Sequence, residues 1–189
     1  MSEQLDLQHK TAAELEAGLP HIEASPKDAG VLKFLVRRPG TNQREVITEA
    51  VLDVTEGLVG DNWKARGSRR TEDGSAHPRM QLNIMNARAV ALIAGDTSRW
   101  ALAGDQLYLD LDLSDENLPP GTRLSLGEAV IEITEIPHNG CKKFTERYGL
   151  DAVKFVNSKV GKALHLRGVN ARVIEGGTIK VGDVARKIS

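Results

Sequence analysis

One cysteine, no long apolar run and almost no net charge set the first limits on this chain of 189 residues. A single cysteine excludes an internal disulfide framework. No stretch approaches the roughly 20 apolar residues of a membrane-crossing helix. The opening "MSEQLDLQHK" has no apolar core of the kind a secretory signal needs. A formal net charge of −1 leaves no global field to gather DNA, RNA or an anionic membrane surface. These absences predict a cytoplasmic protein with neither a nucleic-acid nor a membrane partner, whose thiol stays reduced unless chemistry uses it. Nucleotide signatures are missing too: no GxGxxG follows a strand, and there is no P-loop. The five histidines, His9, His21, His77, His138 and His165, fall at none of the spacings a zinc site uses.

What is present is enough for a core. Hydrophobic residues at 40% and charged residues at 27% lie within the range of folded soluble proteins. Residues 1–30 are polar and read as an N-terminal extension, with a short helix signal at Thr11 to Ala17 where Thr11 caps and Glu14 completes a capping box. Residues 31–189 read as one domain. "VLKFLVRR" and "REVITEAVLDVTEGLVGD" predict two or three strands, and residues 64–79 an exposed loop. "MQLNIM" predicts a half-buried strand and "NARAVALIAGD" a helix capped by Asn86. In "DQLYLDLDLS" the residues Leu107, Leu109, Leu111 and Leu113 share one face of a strand, with a polar face opposite. "TRLSLGEAVIEITEI" predicts a hairpin turning at Gly127 and Glu128. Beyond Cys141, "KKFTERYG" predicts one helix and "DAVKFVNSKVGKALHLRG" a second, with Val153, Val156, Val160 and Leu164 on one stripe. Short strands around Gly176-Gly177 close the chain. Many short strands and few long helices, without regular alternation, predict a mainly β protein with helices, an α+β barrel decorated by short helices.

Cys141, in "PHNGCKKF", is the sharpest candidate for chemistry. A thiol acts as nucleophile or metal ligand in its thiolate form, which the neighbouring cations Lys142 and Lys143, His138 and a following helix would favour. Free cysteines are also among the most buried residues, so the local sequence leaves an inert core thiol as the alternative. Lys64, Arg66, Arg69 and Arg70 in the long loop, Arg79, Arg123 and Arg167 are candidate anion contacts, because guanidinium pairs well with phosphate. Glu116 and Asn117 in "DENLPPG" line a cleft or shape a turn, and Asp61 and Asp183, each after a glycine, read as turn residues.

Taken in order, "EGLVGD", "MQLNIM", "ENLPPGTRLSLGEAVIEIT", "GCKKF" and "RGVNARVIEGGTIKVGD" resemble the MOSC domain, over residues 31–188. The resemblance implies a barrel-like fold and a role for Cys141 as molybdenum ligand, or as carrier of a persulfide. It implies a molybdopterin-type cofactor, held with help from Arg79, Glu116, Asn117, Lys142 and Arg167, and the reduction of small N-hydroxylated molecules. Electrons would come from a flavin or iron-sulfur protein. In the alternative, a non-redox module, sulfur would come from a cysteine desulfurase. Two departures stand out. Gly140 occupies the place before the cysteine where many members carry proline, an exchange expected to leave the loop looser. Asn62 and Trp63 follow Gly60-Asp61, where a basic residue and a histidine are common, so no histidine role is carried to that point.

Overall fold

The computed structural model describes residues 9–188. Helix α1 (Ala12–Glu23) opens on the expected capping box, with the Thr11 hydroxyl accepting from the Glu14 amide and the Glu14 carboxylate accepting from the Thr11 amide. It runs beyond the expected end at Ala17 and carries Pro20 inside it. Burial of Leu15 and Ile22 offsets the hydrogen bond that Pro20 removes.

The strands that follow are β1 (Gly30–Arg37), β2 (Glu45–Ile47), β3 (Glu49–Asp53) and β4 (Gly57–Leu58). A one-turn helix α2 (Trp63–Arg66) leads into the long loop, which ends at a 3-10 turn over Pro78–Met80. Strand β5 (Leu82–Asn86) passes into α3 (Ala87–Ala94), and a 3-10 stretch at Thr97–Ala103 precedes β6 (Leu107–Asp110). The hairpin β7 (Arg123–Leu126) and β8 (Ala129–Ile133) turns at Gly127 and Glu128 as expected. Then come α4 (Lys142–Tyr148), α5 (Leu150–Asn157), α6 (Lys159–Ala163), and β9 (Val169–Glu175), β10 (Gly177–Lys180) and β11 (Val184–Ile188).

Strand pairing runs β11-β7-β8-β9-β5-β6-β1, and β1 pairs again with β11, so the sheet closes into a barrel with β2 added at the side of β1. Every pairing is antiparallel except β5 with β6, the two strands joined across α3. Strands β10, β3 and β4 form a separate small sheet. The fold class is therefore the α+β barrel the patterning predicts.

Two cores explain where the sequence pattern misleads. Leu107, Leu109, Leu124, Ile131 and Ala171 fill the barrel, while Leu15, Val36, Met85, Tyr108, Phe144 and Val156 pack between its wall and the helices. Strand β5 is consequently buried on both faces rather than half-buried. The face of β6 expected to be polar carries the fully buried Tyr108, packed edge-on against Phe34. The second predicted helix after Cys141 is two helices. Ser158 leaves helical geometry at ψ 168° and caps α6 by accepting from the Gly161 amide, which turns Val160 out to solvent. No helix among the described residues is long and apolar enough to cross a membrane.

Candidate functional site

Where the end of the barrel meets α4, a cleft of about 270 Å³ opens, with Cys141 on its wall. Arg38 enters from the end of β1, Arg44 from the approach to β2, Asn62 and Arg66 from around α2, Asn83 from β5, and Lys143, Phe144 and Arg147 from α4. His138 and Arg167 complete it from the loops before α4 and β9. Cys141 immediately precedes α4, and its side chain caps nothing. The thiol is exposed and free, so the inert core alternative does not hold.

The backbone under that thiol is clamped. The Gly140 amide donates to Asn157 Oδ1 at 3.0 Å, and the Gly140 carbonyl accepts from Asn157 Nδ2 at 3.1 Å. The Cys141 carbonyl accepts from the Thr145 amide at 3.0 Å. One side-chain amide thus pairs with both backbone polar groups of Gly140, as a neighbouring β-strand residue would.

Charge in the cleft has one sign: it is lined by five arginines and a lysine, and no carboxylate. Two of the arginines are neutralised from behind. Arg38 is gripped by Asp61 through Nε and Nη2, both at 2.8 Å, and its Nη1 donates to Asn83 Oδ1 and to the Gly104 carbonyl. Arg167 donates to Asp105 Oδ2 at 2.6 Å and to the Ala103 carbonyl, and its guanidinium lies 5.0 Å over the Phe144 ring. Among the described residues, Arg44, Arg66, Arg147 and Lys143 form no carboxylate pair. Burial first, then Arg147 and Arg38, push the Arg44 guanidinium below its ordinary value. Three lining residues also hold buried polar atoms without a partner: Arg44 Nε, Asn62 Oδ1 and Arg167 Nε. Clustered cations with unsatisfied donors are a setting that an anion relieves.

Asp105 also accepts from His138, whose Nε2 lies 2.9 Å from Oδ1. Burial alone would raise the Asp105 carboxyl, but Arg167 and His138 together outweigh it and hold it below the ordinary carboxylate range. For His138, burial and then Arg167 lower the imidazole below its ordinary 6.5, against the opposite pull of Asp105. Above 6.5 both folded and unfolded imidazoles are neutral; as pH falls through that value the unfolded chain takes up its proton first, so the fold loses stability until the folded ring titrates too. Thermal midpoints at roughly pH 7.5 and pH 5.5 should therefore show a drop on acidification that His138→Gln reduces.

The family model described as the MOSC domain matches residues 72–186, more than half of the chain and all of the segment that carries Cys141. The chain belongs to the MOSC domain family. That family is associated with molybdenum cofactor binding. Solved structures share the barrel. YuaD from Bacillus subtilis matches at TM-score 0.63 and 14% identity, over 85% of this chain and 97% of its own. YiiM from Escherichia coli matches at TM-score 0.54 and 18% identity, over 84% and 70%, and YiiM from Geobacillus stearothermophilus at 0.52 and 12%, over 87% and 75%. At these identities the likeness is one of fold. A comparison with curated proteins gave no match.

Of the residues that the MOSC resemblance nominated, the structure brings Cys141 and Arg167 into one cleft. Lys142 is exposed and outside the lining, where its neighbour Lys143 stands instead. Arg79 is ion-paired with Glu135 beside a separate depression lined by Thr134 and Arg172. Asn117 braces a loop, its Nδ2 donating to the Lys27 and Asp112 carbonyls and its Oδ1 accepting from Lys187 Nζ. Glu116 is exposed and also lies outside the cleft lining. Asp61, read as a turn residue, is the buried anchor of Arg38. Sequence reasoning passed over Arg38, Arg44, Asn83, Asp105 and Arg147. For Asp105 the signal was there: it precedes Leu107 by two, so period two places it on the core-facing side of β6. Gly140, finally, is not a loosening of the MOSC loop. Its amide is used by Asn157, and a Cβ there would lie 2.9 Å from side-chain carbons of Val153 and Val156.

Proposed function

We propose that this MOSC protein holds a molybdopterin-type cofactor in the Cys141 cleft and reduces small N-hydroxylated molecules. The observation that carries the reading is an exposed thiol on the wall of a cleft lined by five arginines and a lysine, with no carboxylate and with Arg44 Nε and Arg167 Nε buried without a partner. Such a donor set fits an anionic, phosphate-bearing group with a thiophilic metal. Among the described residues no cluster of three or more His, Cys, Asp and Glu side chains could hold a metal ion. A metal here would take Cys141 as its protein ligand and the rest from the cofactor. Arg44, Arg66 and Arg147 would bind the anionic end, with Arg38 and Arg167 fixed in place by Asp61 and Asp105.

When bound, the cofactor supplies two-electron chemistry at the N–O bond. The chain's part is to orient the substrate, exclude water and deliver protons, while electrons come from a flavin or iron-sulfur partner protein. In cofactor-loaded protein supplied with such a donor, Cys141→Ala is expected to reduce hydroxylamine-type substrates at least about 100-fold more slowly than wild type. Normal turnover by that variant would end this reading. A non-redox sulfur carrier predicts instead a persulfide on Cys141 and no turnover in wild type.

A further inference from the structure

His138 is not confined to the Cys141 cleft. It also borders two further hollows, of about 210 and 320 Å³, whose linings exclude Cys141. Both are bordered by Asp115 and His165 as well, and these two form a pair at 2.8 Å with the Asp115 carboxylate largely exposed. His165 sits at φ 49°, a left-handed conformation that non-glycine residues rarely adopt. The ring of His138 has its space because residue 168 is glycine at φ 115°: a Cβ there would lie 3.1 Å from His138 Cδ2 and 2.4 Å from the Ile84 carbonyl oxygen.

The reductive reaction consumes protons. In R–NH–OH + 2 e⁻ + 2 H⁺ → R–NH₂ + H₂O the N–O bond breaks, the oxygen leaves as water, the electrons come from the flavin or iron-sulfur donor, and both protons must reach the cleft. Its lining has no carboxylate, arginine does not release its proton in proteins, and lysine is as a residue type too weak an acid to cycle a proton near neutrality. His138 is the lining side chain of the type that exchanges protons near neutrality. With its Nε2–H donated to Asp105, the second proton of the ring is carried on Nδ1.

We propose that His138 is the proton donor for the reaction in the Cys141 cleft, oriented by Asp105 and reloaded from solvent through the hollows that Asp115 and His165 border. The proposal rests on the reductase reading above. Around the ring stand Asp105, Arg167 and Arg38 on the cleft side, and Asp115, His165, Lys162 and Glu135 along the hollows. Asp105 is a positioning residue: it accepts from His138 and, through its other oxygen, holds Arg167.

The test compares wild type with His138→Gln, each loaded with cofactor. Metal content and KM are expected to stay at the wild-type level, with kcat lower by about 100-fold or more and no longer rising on acidification. In His138→Gly, added imidazole should restore part of kcat, a rescue that a structural role would not give. A His138→Gln enzyme within about twofold of wild-type kcat overturns the donor role. On cofactor-free protein, nitrogen NMR should find the neutral ring carrying its proton on Nε2 and taking the second on Nδ1. The opposite tautomer overturns the proposal whatever the metal content. The two failures separate: metal or turnover absent from wild type removes the reductase reading and the donor role with it, whereas full wild-type turnover matched by His138→Gln removes the donor role alone.

Discussion

Asp105→Ala is expected to cost the fold about 3–5 kcal/mol, the range for removing one partner of a buried ion pair. The Asp105 side chain is fully buried and takes hydrogen bonds from both His138 and Arg167, and the Arg167 side chain is itself only 8% exposed. Deleting the carboxylate strands a guanidinium among Ala103, Phe144 and the remaining cations of the cleft. For a domain of this size the loss corresponds to a fall in thermal midpoint on the order of 10 °C. Asp105→Asn keeps the shape and one acceptor and should lose less. Urea unfolding of the three proteins measures the difference. An Asp105→Ala shift under about 1 kcal/mol would mean that water takes the place of the carboxylate, and that Arg167 is not held as described.

Gly140→Pro is the second large effect, and it runs against the family pattern. Many MOSC relatives carry proline at this place, so the exchange looks like a return to consensus. In this chain it removes the amide that donates to Asn157 Oδ1 and puts ring atoms where a Cβ alone would already lie 2.9 Å from Val153 and Val156. A lost half-buried hydrogen bond and an overpacked contact together are expected to cost about 2–4 kcal/mol. Asn157→Ala breaks the same clamp without the steric conflict, so it should lose less stability while freeing the Cys141 loop in the same way. Hydrogen exchange at residues 139–142 reads that freedom directly. Unchanged protection in Gly140→Pro would contradict the clamp.

How far these features were legible in the sequence depends on how local they are. The Thr11 capping box, the Asn86 cap and the hairpin at Gly127 are set by neighbours within a few residues and stand as expected. Of the four-leucine strand face, only Leu107 and Leu109 lie in β6, which stops at Asp110, although Leu111 and Leu113 are buried in the same core. Burial on both sides of β5 was not legible, because it depends on α3 and α4 lying against the barrel wall, which residues 80–86 do not encode. The break at Ser158 was legible in principle: serine is a preferred helix N-cap, a signal competing here with an apolar stripe. In the site, Cys141 was found because it is unique in composition. Arg38, Asp61 and Asp105 were missed as functional neighbours because their meaning is pairwise. Arg38 and Asp61 are 23 positions apart, and Asp105 and Arg167 are 62 apart, and only the closed barrel joins them. Arg79 and Asn117 were picked for type and position beside turns, and the barrel turns both toward other partners.

The central claim is that Cys141 and the cations around it hold a molybdenum cofactor. The most direct measurement is the molybdenum content of protein purified from a cofactor-producing host, with wild type and Cys141→Ser prepared side by side. The account predicts about one metal per wild-type chain and loss of most of it in the variant, with unfolding midpoints that stay together because the thiol is exposed and bonds to nothing else in the chain. Equal molybdenum in both proteins would contradict ligation by Cys141, and molybdenum in neither, from a host shown to load a known molybdenum enzyme, would contradict the cofactor itself.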